Sequence, residues 1–331
     1  MKTQYKRLTQ YERFQIEILL KSGKSITSIA QELNRNYSTI YREVNRLKKG
    51  KYCAKKALSI AVSKSVSRKY NKTKIFTNPL LKKFIYDKLN QRWSPEQISL
   101  TLKKLFPNDH SMNISFESIY FHIYIHSGPE LRKILISKLR QSRIVRGNTR
   151  RGVDKRATIK DRTMIDERPD EVLGREIPGH WEGDLILGKN RESAIGTLVE
   201  RTTRALIIVH LKNRDAESVR IAFEKELKAL PKLMKKSLTY DNGTEMAQHK
   251  LFTNNTKIQV SFTHPYSPWE RPTNENFNGL IRDYFPKGTD FEKVTRKQLK
   301  MVQDQLNNRP RKVLDMQTPN EVFNNYILNK I

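Results

Sequence analysis

Apolar residues in the first fifty positions recur at helical spacing. Thr9 and Glu12 form a capping-box pattern ahead of a helix whose apolar positions Phe14, Ile16, Ile18, Leu19 and Leu20 run to Gly23. A second short helix follows, with Ile26, Ile29, Ala30 and Leu33 on one side. The break at Asn34, Arg35 and Asn36 starts a third, YSTIYREVNRL, in which Ile40, Val44 and Leu47 face inward. Ser38, Thr39, Tyr41, Arg42, Asn45 and Arg46 are left on its outer face. Residues 78–127 repeat the theme: PLLKKFIYDKLNQRW is amphipathic, and Ser94-Pro95-Glu96-Gln97 supplies a cap, a first-turn proline and a capping-box glutamine. After PNDHSMNI, Ser115 can cap FESIYFHIYIH.

From about Ile177 the pattern changes to strands. HWEGDLILG, AIGTLVERT and ALIIVHLK are joined by short turns and predict an antiparallel meander. DAESVRIAFEKELKAL is a helix capped by Asp215, KSLTYDNG a buried strand, QVSFTH another, and TNENFNGLIRDYF a helix. This order predicts an α/β chain in which amino-terminal helical units precede a mixed sheet flanked by helices. VTRKQLKMVQDQLNNRP is a later amphipathic helix, and Thr318-Pro319-Asn320-Glu321 caps the last one. The expected domains are a helix-turn-helix over 1–50, a basic linker over 51–77, a second helical unit over 78–127, a basic linker over 128–175, and a sheet-containing domain over 176–331.

Charge sharpens this picture because it is lopsided. Of a net charge of +30, residues 1–160 hold +26 (36 Lys and Arg against 10 Asp and Glu) and residues 161–331 hold +4 (28 against 24). Lys and Arg gain affinity by releasing counterions from phosphates, so the basic half points to nucleic acid. The hydroxyls, amides and guanidiniums on the third helix are groups that reach base edges and phosphates from a helix in the major groove. A plain three-helix bundle with a solvated face is the competing reading, and a purely structural helical unit competes for 78–127. The basic runs between units suit backbone contact, which positions a protein without choosing a sequence. No apolar run approaches the roughly 20 residues that span a bilayer, and MKTQYKRLTQYER lacks the apolar core of a signal peptide. The single cysteine, Cys53, excludes an internal disulfide and a cysteine zinc site and suits a reducing cytoplasm.

Three acids stand in settings that suit a metal ligand. Asp241 closes an apolar strand before Asn242 and Gly243, and Asp184 lies in an apolar strand where an unpaired charge would be costly. Glu275 lies on the later helix, where pattern alone leaves Glu270 and Asp283 as equal candidates, and Glu182 shares the strand face of Asp184. Magnesium prefers oxygen ligands and binds through one or two carboxylates plus substrate phosphates, and two such ions can run an in-line displacement. Asn278 and Arg282 lie three and seven positions after Glu275, on the same helix face, where Arg282 could hold a phosphate. His180 and His264 flank the site in sequence, and Trp269 is open to base stacking or to a core role. RPRKVL reads as an exposed basic segment.

GHWEGDLILGK, LVERTTR, LTYDNGTE, HPYSPWERPTNENFNGLIRDYFPKGTDF and LNNRPRKVLDMQTPNEVF resemble the successive motifs of the insertion sequence thirty family of bacterial transposases. LTQYERFQIEILLKSGKSITSIAQELNRNYSTIYREVNR resembles the family's amino-terminal helix-turn-helix, and RWSPEQI its second. The resemblance implies an RNase H-like, retroviral-integrase-type catalytic domain with a DDE triad on Asp184, Asp241 and Glu275, the last two separated by 33 residues. It implies Mg2+ or Mn2+, two ions per site. It also implies double-stranded DNA partners, both terminal inverted repeats and target, a homodimer or higher oligomer on DNA, and a nucleoid location in a bacterial cytoplasm. The implied reaction is end cleavage to free 3′-hydroxyls followed by strand transfer. A catalytically impaired relative acting as a DNA-binding repressor is the alternative. Pro272 stands where the family carries glycine; it fixes φ and removes a donor, so the loop entering the Glu275 helix is expected to differ.

Overall fold

The computed structural model describes residues 7–47, 51–69, 73–139, 159, 161–265 and 267–330. The chain divides into two compact units, residues 1–82 and 83–331. Most of the basic run from Lys138 to Lys160 lies outside the described residues.

In the first unit, α1 (Gln10–Lys21), α2 (Ile26–Glu32) and α3 (Tyr37–Val44) close around Leu8, Ile16, Ile29, Ala30 and Ile40. Side chains start each helix: Thr9 and Glu12 form the expected capping box, Ser25 accepts from Ser28 N–H, and Asn36 accepts from Ser38 N–H. Glu43 is buried on α3 and is satisfied by Arg13 at 2.8 Å and Arg46 at 2.6 Å. The stretch after residue 50 carries α4 (Ala54–Lys69) and the single turn α5 (Lys74–Thr77). Glu17 of α1 accepts from Ala54 N–H at 2.7 Å, which satisfies one of the free donors at the start of α4. Buried Ala54 and Ala57 allow close approach there.

Helix α6 (Pro79–Asn90) crosses the boundary, and the second unit continues with α7 (Pro95–Leu105), α8 (Phe116–Phe121), a π-helical turn over His122–His126, and α9 (Pro129–Ser137). The Ser94–Gln97 capping box is present, with Pro95 in the first turn of α7, and Ser115 caps α8. These helices are tied to the carboxy-terminal part of the unit. Arg92 donates to Asp283 O at 2.5 Å and stacks over Tyr284, and Gln97 donates to Pro310 O at 2.8 Å.

Next come β1 (His180–Leu187), β2 (Ala194–Glu200), β3 (Leu206–His210), α10 (Ala216–Lys228), β4 (Ser237–Tyr240), α11 (His249–Thr256), β5 (Gln259–Phe262), α12 (Pro272–Arg282), α13 (Arg296–Asn307) and α14 (Pro319–Leu328). The sheet order is β3-β2-β1-β4-β5. β1, β2 and β3 form the antiparallel meander, while β4 pairs parallel to both β1 and β5. Strand alternation sends Trp181 and Leu198 to one face, with Phe223 of α10 and Phe252 of α11, and Ile186, Ile195 and Val199 to the other, with Phe277 of α12 and Leu299 of α13. Glu182 and Asp184 share the face covered by α12.

Both sheet edges are covered. On the β3 edge, Asn307 accepts from Leu206 N–H at 2.9 Å and donates to Leu206 O at 2.8 Å, and Gln303 accepts from Ile208 N–H. On the β5 edge, Thr163 O accepts from Phe262 N–H. Arg309 and Arg311 of RPRKVL are buried rather than exposed: Arg309 donates to Gln91 O and Tyr284 Oη, and Arg311 covers the Phe277 ring at 4.7 Å. Their stems fill apolar space that the charge pattern alone does not disclose.

Candidate active site

The site is built where β1 and β4 run side by side. Asp184 is on β1, and Asp241 follows directly after the fully buried β4. Asp241 Oδ1 accepts from Gly243 N–H at 2.9 Å, a turn that fixes the carboxylate at the strand's end. Both carboxylates face one guanidinium: Arg271 Nη1 lies 3.7 Å from Asp184 Oδ1 and Nη2 lies 3.5 Å from Asp241 Oδ2. Arg271 Nη1 also donates to Gly183 O at 2.6 Å. Gly183 is required beside it, because a Cβ there would come within 2.7 Å of the Tyr240 ring.

Helix α12 is zipped to β1 by two asparagines. Asn274 N–H donates to Glu182 Oε2 at 2.8 Å and its amide donates to Glu182 O, while Asn278 Nδ2 donates to Asp184 Oδ2 at 2.7 Å. Four helical residues rise about 6 Å and two strand residues about 6.7 Å, so the i,i+4 and i,i+2 repeats match. Thr197, opposite Asp184 on β2, donates to the side-chain oxygens of both asparagines. Burial pushes the Asp184 carboxyl above its ordinary pKa, as does Asp241, while Arg271 and the hydrogen bonds from Leu185 N–H and Asn278 oppose this.

Glu182 is fully buried and committed elsewhere, to Asn274 and to Arg201 at 3.5 Å. Glu275 lies in the first turn of α12 with its side chain exposed. Among the described residues no group of three His, Cys, Asp or Glu converges closely enough to hold an ion. The two aspartates are thus brought together and Glu275 is not drawn in beside them. Pro272 occupies the first turn of α12, where a missing N–H leaves no bond unmade and a fixed φ suits the helix. The loop accommodates proline without a break in α12.

Arg282 donates through Nη2 to Leu187 O at 2.6 Å and through Nη1 toward Phe285 O and Pro286 O, so its head joins the end of α12 to the end of β1. His180 is buried, with Nδ1 2.8 Å from Ser237 Oγ, and burial pushes its pKa down to about 4. His264 bridges Glu270 at 2.9 Å and Asp166 at 3.1 Å, and the Glu270 contact raises its pKa. Trp269 is 70% exposed. Sequence reasoning missed Arg271, which sits inside the quoted SPWERPTNEN run but carries no periodicity or spacing to single it out.

Helix α3 of the first unit stops at Val44, short of the expected Leu47, so Asn45 is its C-cap and Arg46 lies in the turn beyond; Tyr41, Arg42 and Asn45 are exposed and Ser38, Thr39 and Arg46 half-buried. Tyr41 stacks on Tyr37 at 5.9 Å, and Arg46 is held on Glu43. This leaves Arg42 as the projecting cation of the six.

A helix-turn-helix domain model matches residues 4–47 and an integrase core domain model residues 175–268. The transposase for insertion sequence element IS1086 of Cupriavidus metallidurans is 40% identical over 99% of this chain and 97% of its own. Transposase InsI for insertion sequence element IS30A of Escherichia coli is 41% identical over 96% of this chain and 83% of its own. The chain belongs to the IS30 family of insertion-sequence transposases. The family carries an integrase-type core and implies a divalent metal and action on DNA. A solved catalytic core domain of BIV integrase aligns over 46% of this transposase and 97% of its own chain, at 18% identity and a TM-score of 0.36. No helix among the described residues is long and apolar enough to cross a membrane.

Proposed function

We propose that this transposase binds the terminal inverted repeats of its element, cleaves the ends to free 3′-hydroxyls and transfers them to target DNA, with Asp184, Asp241 and Glu275 as its catalytic carboxylates. The observation that carries this is the pair of aspartates on neighbouring parallel strands, Asp184 within β1 and Asp241 just past the end of β4, sharing one cation. Two hard carboxylates open to a cation fit Mg2+ or Mn2+, which binds through one or two carboxylates and completes its shell with water and phosphate oxygens. Such ions, two per site, would supply activation of the attacking hydroxyl and stabilisation of the leaving oxygen. Asp184 and Asp241 would hold them, with Glu275 on the first turn of α12 as the third carboxylate. Asn278 orients Asp184 for this task. Arg271 balances the charge of the two aspartates and is within reach of a phosphate.

Ser38, Thr39, Tyr41 and Arg42 of α3 and Asn45 at its C-cap read the repeat, with Arg46 and the basic stretches over 51–77 and 128–175 following its backbone. The unit over 78–127 adds a second contact to the same DNA, and 176–331 carries the chemistry. Joining two ends calls for at least two copies of the chain on DNA.

The test is cleavage of a duplex carrying the repeats that flank the gene, with Mg2+. Asp184→Ala, Asp241→Ala and Glu275→Ala should each lower cleavage by about a thousandfold or more, while duplex binding changes less than about threefold. Substantial cleavage by Glu275→Ala would remove that residue from the triad.

A further inference from the structure

Trp269 is a large apolar side chain that the fold displays rather than buries. It is 70% exposed, whereas Trp93 and Trp181, the other two tryptophans, are 6% and 0% exposed. Its short 3-10 turn, Pro268–Glu270, is pinned from several directions. Glu270 accepts from His264 N–H at 2.8 Å and pairs with His264 Nδ1 at 2.9 Å, and His264 Nε2 is held by Asp166 at 3.1 Å. Glu270 N–H donates to Ser267 O at 3.1 Å. Two residues on, Arg271 is locked to Gly183 O and the aspartates. A ring on an anchored turn loses little freedom when it is covered.

Its location limits what would cover it. Two residues span at most about 7 Å of chain, so the backbone that carries the indole lies within that distance of the backbone of Arg271, whose guanidinium bridges Asp184 and Asp241. A phosphodiester brought to those carboxylates carries its own bases within one nucleotide of that point. Every base offers a flat π-face, and an indole is a sequence-tolerant platform for it. Inside a paired, stacked duplex that face is hidden, so away from a duplex end only an unpaired base can meet the ring.

We propose that Trp269 is a stacking platform for an unpaired base next to the reacting phosphate, holding the DNA strand end open at the carboxylate pair. This rests on the transposase reading of the site. Trp269 touches substrate and positions it; it takes no part in proton or phosphoryl transfer.

Because Trp269 is the single exposed tryptophan, the protein's own fluorescence reports on it. The experiment titrates the full chain, without divalent metal, with a 20-base-pair blunt duplex and with the same duplex carrying two unpaired nucleotides at each 3′ end. The anisotropy of a label on the DNA reports binding independently. Expected are strong quenching by the frayed duplex, little by the blunt one, and tighter binding of the frayed form. Trp269→Ala should lose that preference by about 5- to 140-fold, and Trp269→Tyr should largely restore it. Binding of the frayed duplex without quenching, or an unchanged preference in Trp269→Ala, would overturn the platform and leave the transposase reading intact. Absence of DNA binding by anisotropy would overturn both. A concentration-dependent tryptophan shift without DNA, with none on adding it, would make the ring a protein–protein contact instead.

Discussion

Asn278 illustrates how a neutral side chain sets the terms for a charged one. It donates to Asp184 Oδ2 at 2.7 Å and is itself held by Thr197 Oγ1 at 3.1 Å, so one lone-pair direction of the carboxylate is fixed and the others remain for a cation. Partners of this kind are commonly worth 10- to 100-fold in metal affinity. Asn278→Ala should therefore weaken Mn2+ binding by about that factor, measured by calorimetry, while thermal stability moves little. A loss confined to stability would assign Asn278 to packing alone. The helix periodicity already places Asn278 and Glu275 on one face, but Arg271 is illegible in the sequence because its partners, Gly183 O and two carboxylates, come from β1 and the end of β4. His180 carries a different kind of prediction. Burial depresses its pKa to about 4, so the native state stays neutral where the unfolded chain, near pH 6.5, takes up a proton. Its contribution is full above about pH 6.5 and is lost progressively as pH falls toward 4, by at most about 3 kcal/mol. Urea unfolding at pH 7.5 and pH 5 should show a larger difference for the wild type than for His180→Asn, and equal differences would reject the assignment.

Elements were largely readable because their end signals are local. The capping boxes at Thr9, Ser94 and Thr318 and the Asp215 cap are met in the structure, and the meander and its following strands come from alternation and turn residues. What the pattern leaves open is how elements meet. The charge-rich RPRKVL reads as surface, yet Arg309 and Arg311 are buried because Arg309 finds the Gln91 carbonyl and Arg311 the Phe277 ring, both distant in sequence. Edge protection is equally non-local. Asn307 satisfies both the N–H and C=O of Leu206 from 101 residues away and gives α13 a sealing role over β3. Asn307→Ala should cost about 1–3 kcal/mol per stranded buried group and leave part of a strand edge unpaired. The measurement is a chemical denaturation curve with light scattering of the native protein. An unchanged midpoint would mean that water replaces the amide.

At the scale of the whole molecule, the +30 charge and its concentration in the first 160 residues set how DNA is held before any chemistry begins. The helix-turn-helix of the first unit presents few cations on its own recognition helix. Arg46, in the turn just past its end, is spent on Glu43, which leaves Arg42 exposed beside Tyr41 and Asn45. On the proposed reading, sequence choice rests on very few side chains, while affinity is spread over many phosphate contacts. The two contributions separate under salt. Binding to any duplex should weaken steeply as salt rises, with a log–log slope near −0.9 for each phosphate neutralised. If Arg42 reads a base, Arg42→Ala should lower the preference for the inverted repeat over random duplex by roughly 5- to 150-fold and leave the salt slope unchanged. If it holds a phosphate, both duplexes should weaken alike and the slope should fall by about one. Its place on the exposed face of α3, flanked by an aromatic and an amide, favours the first outcome. A fall in slope with no change in preference would transfer the reading of sequence to the helices over 78–127.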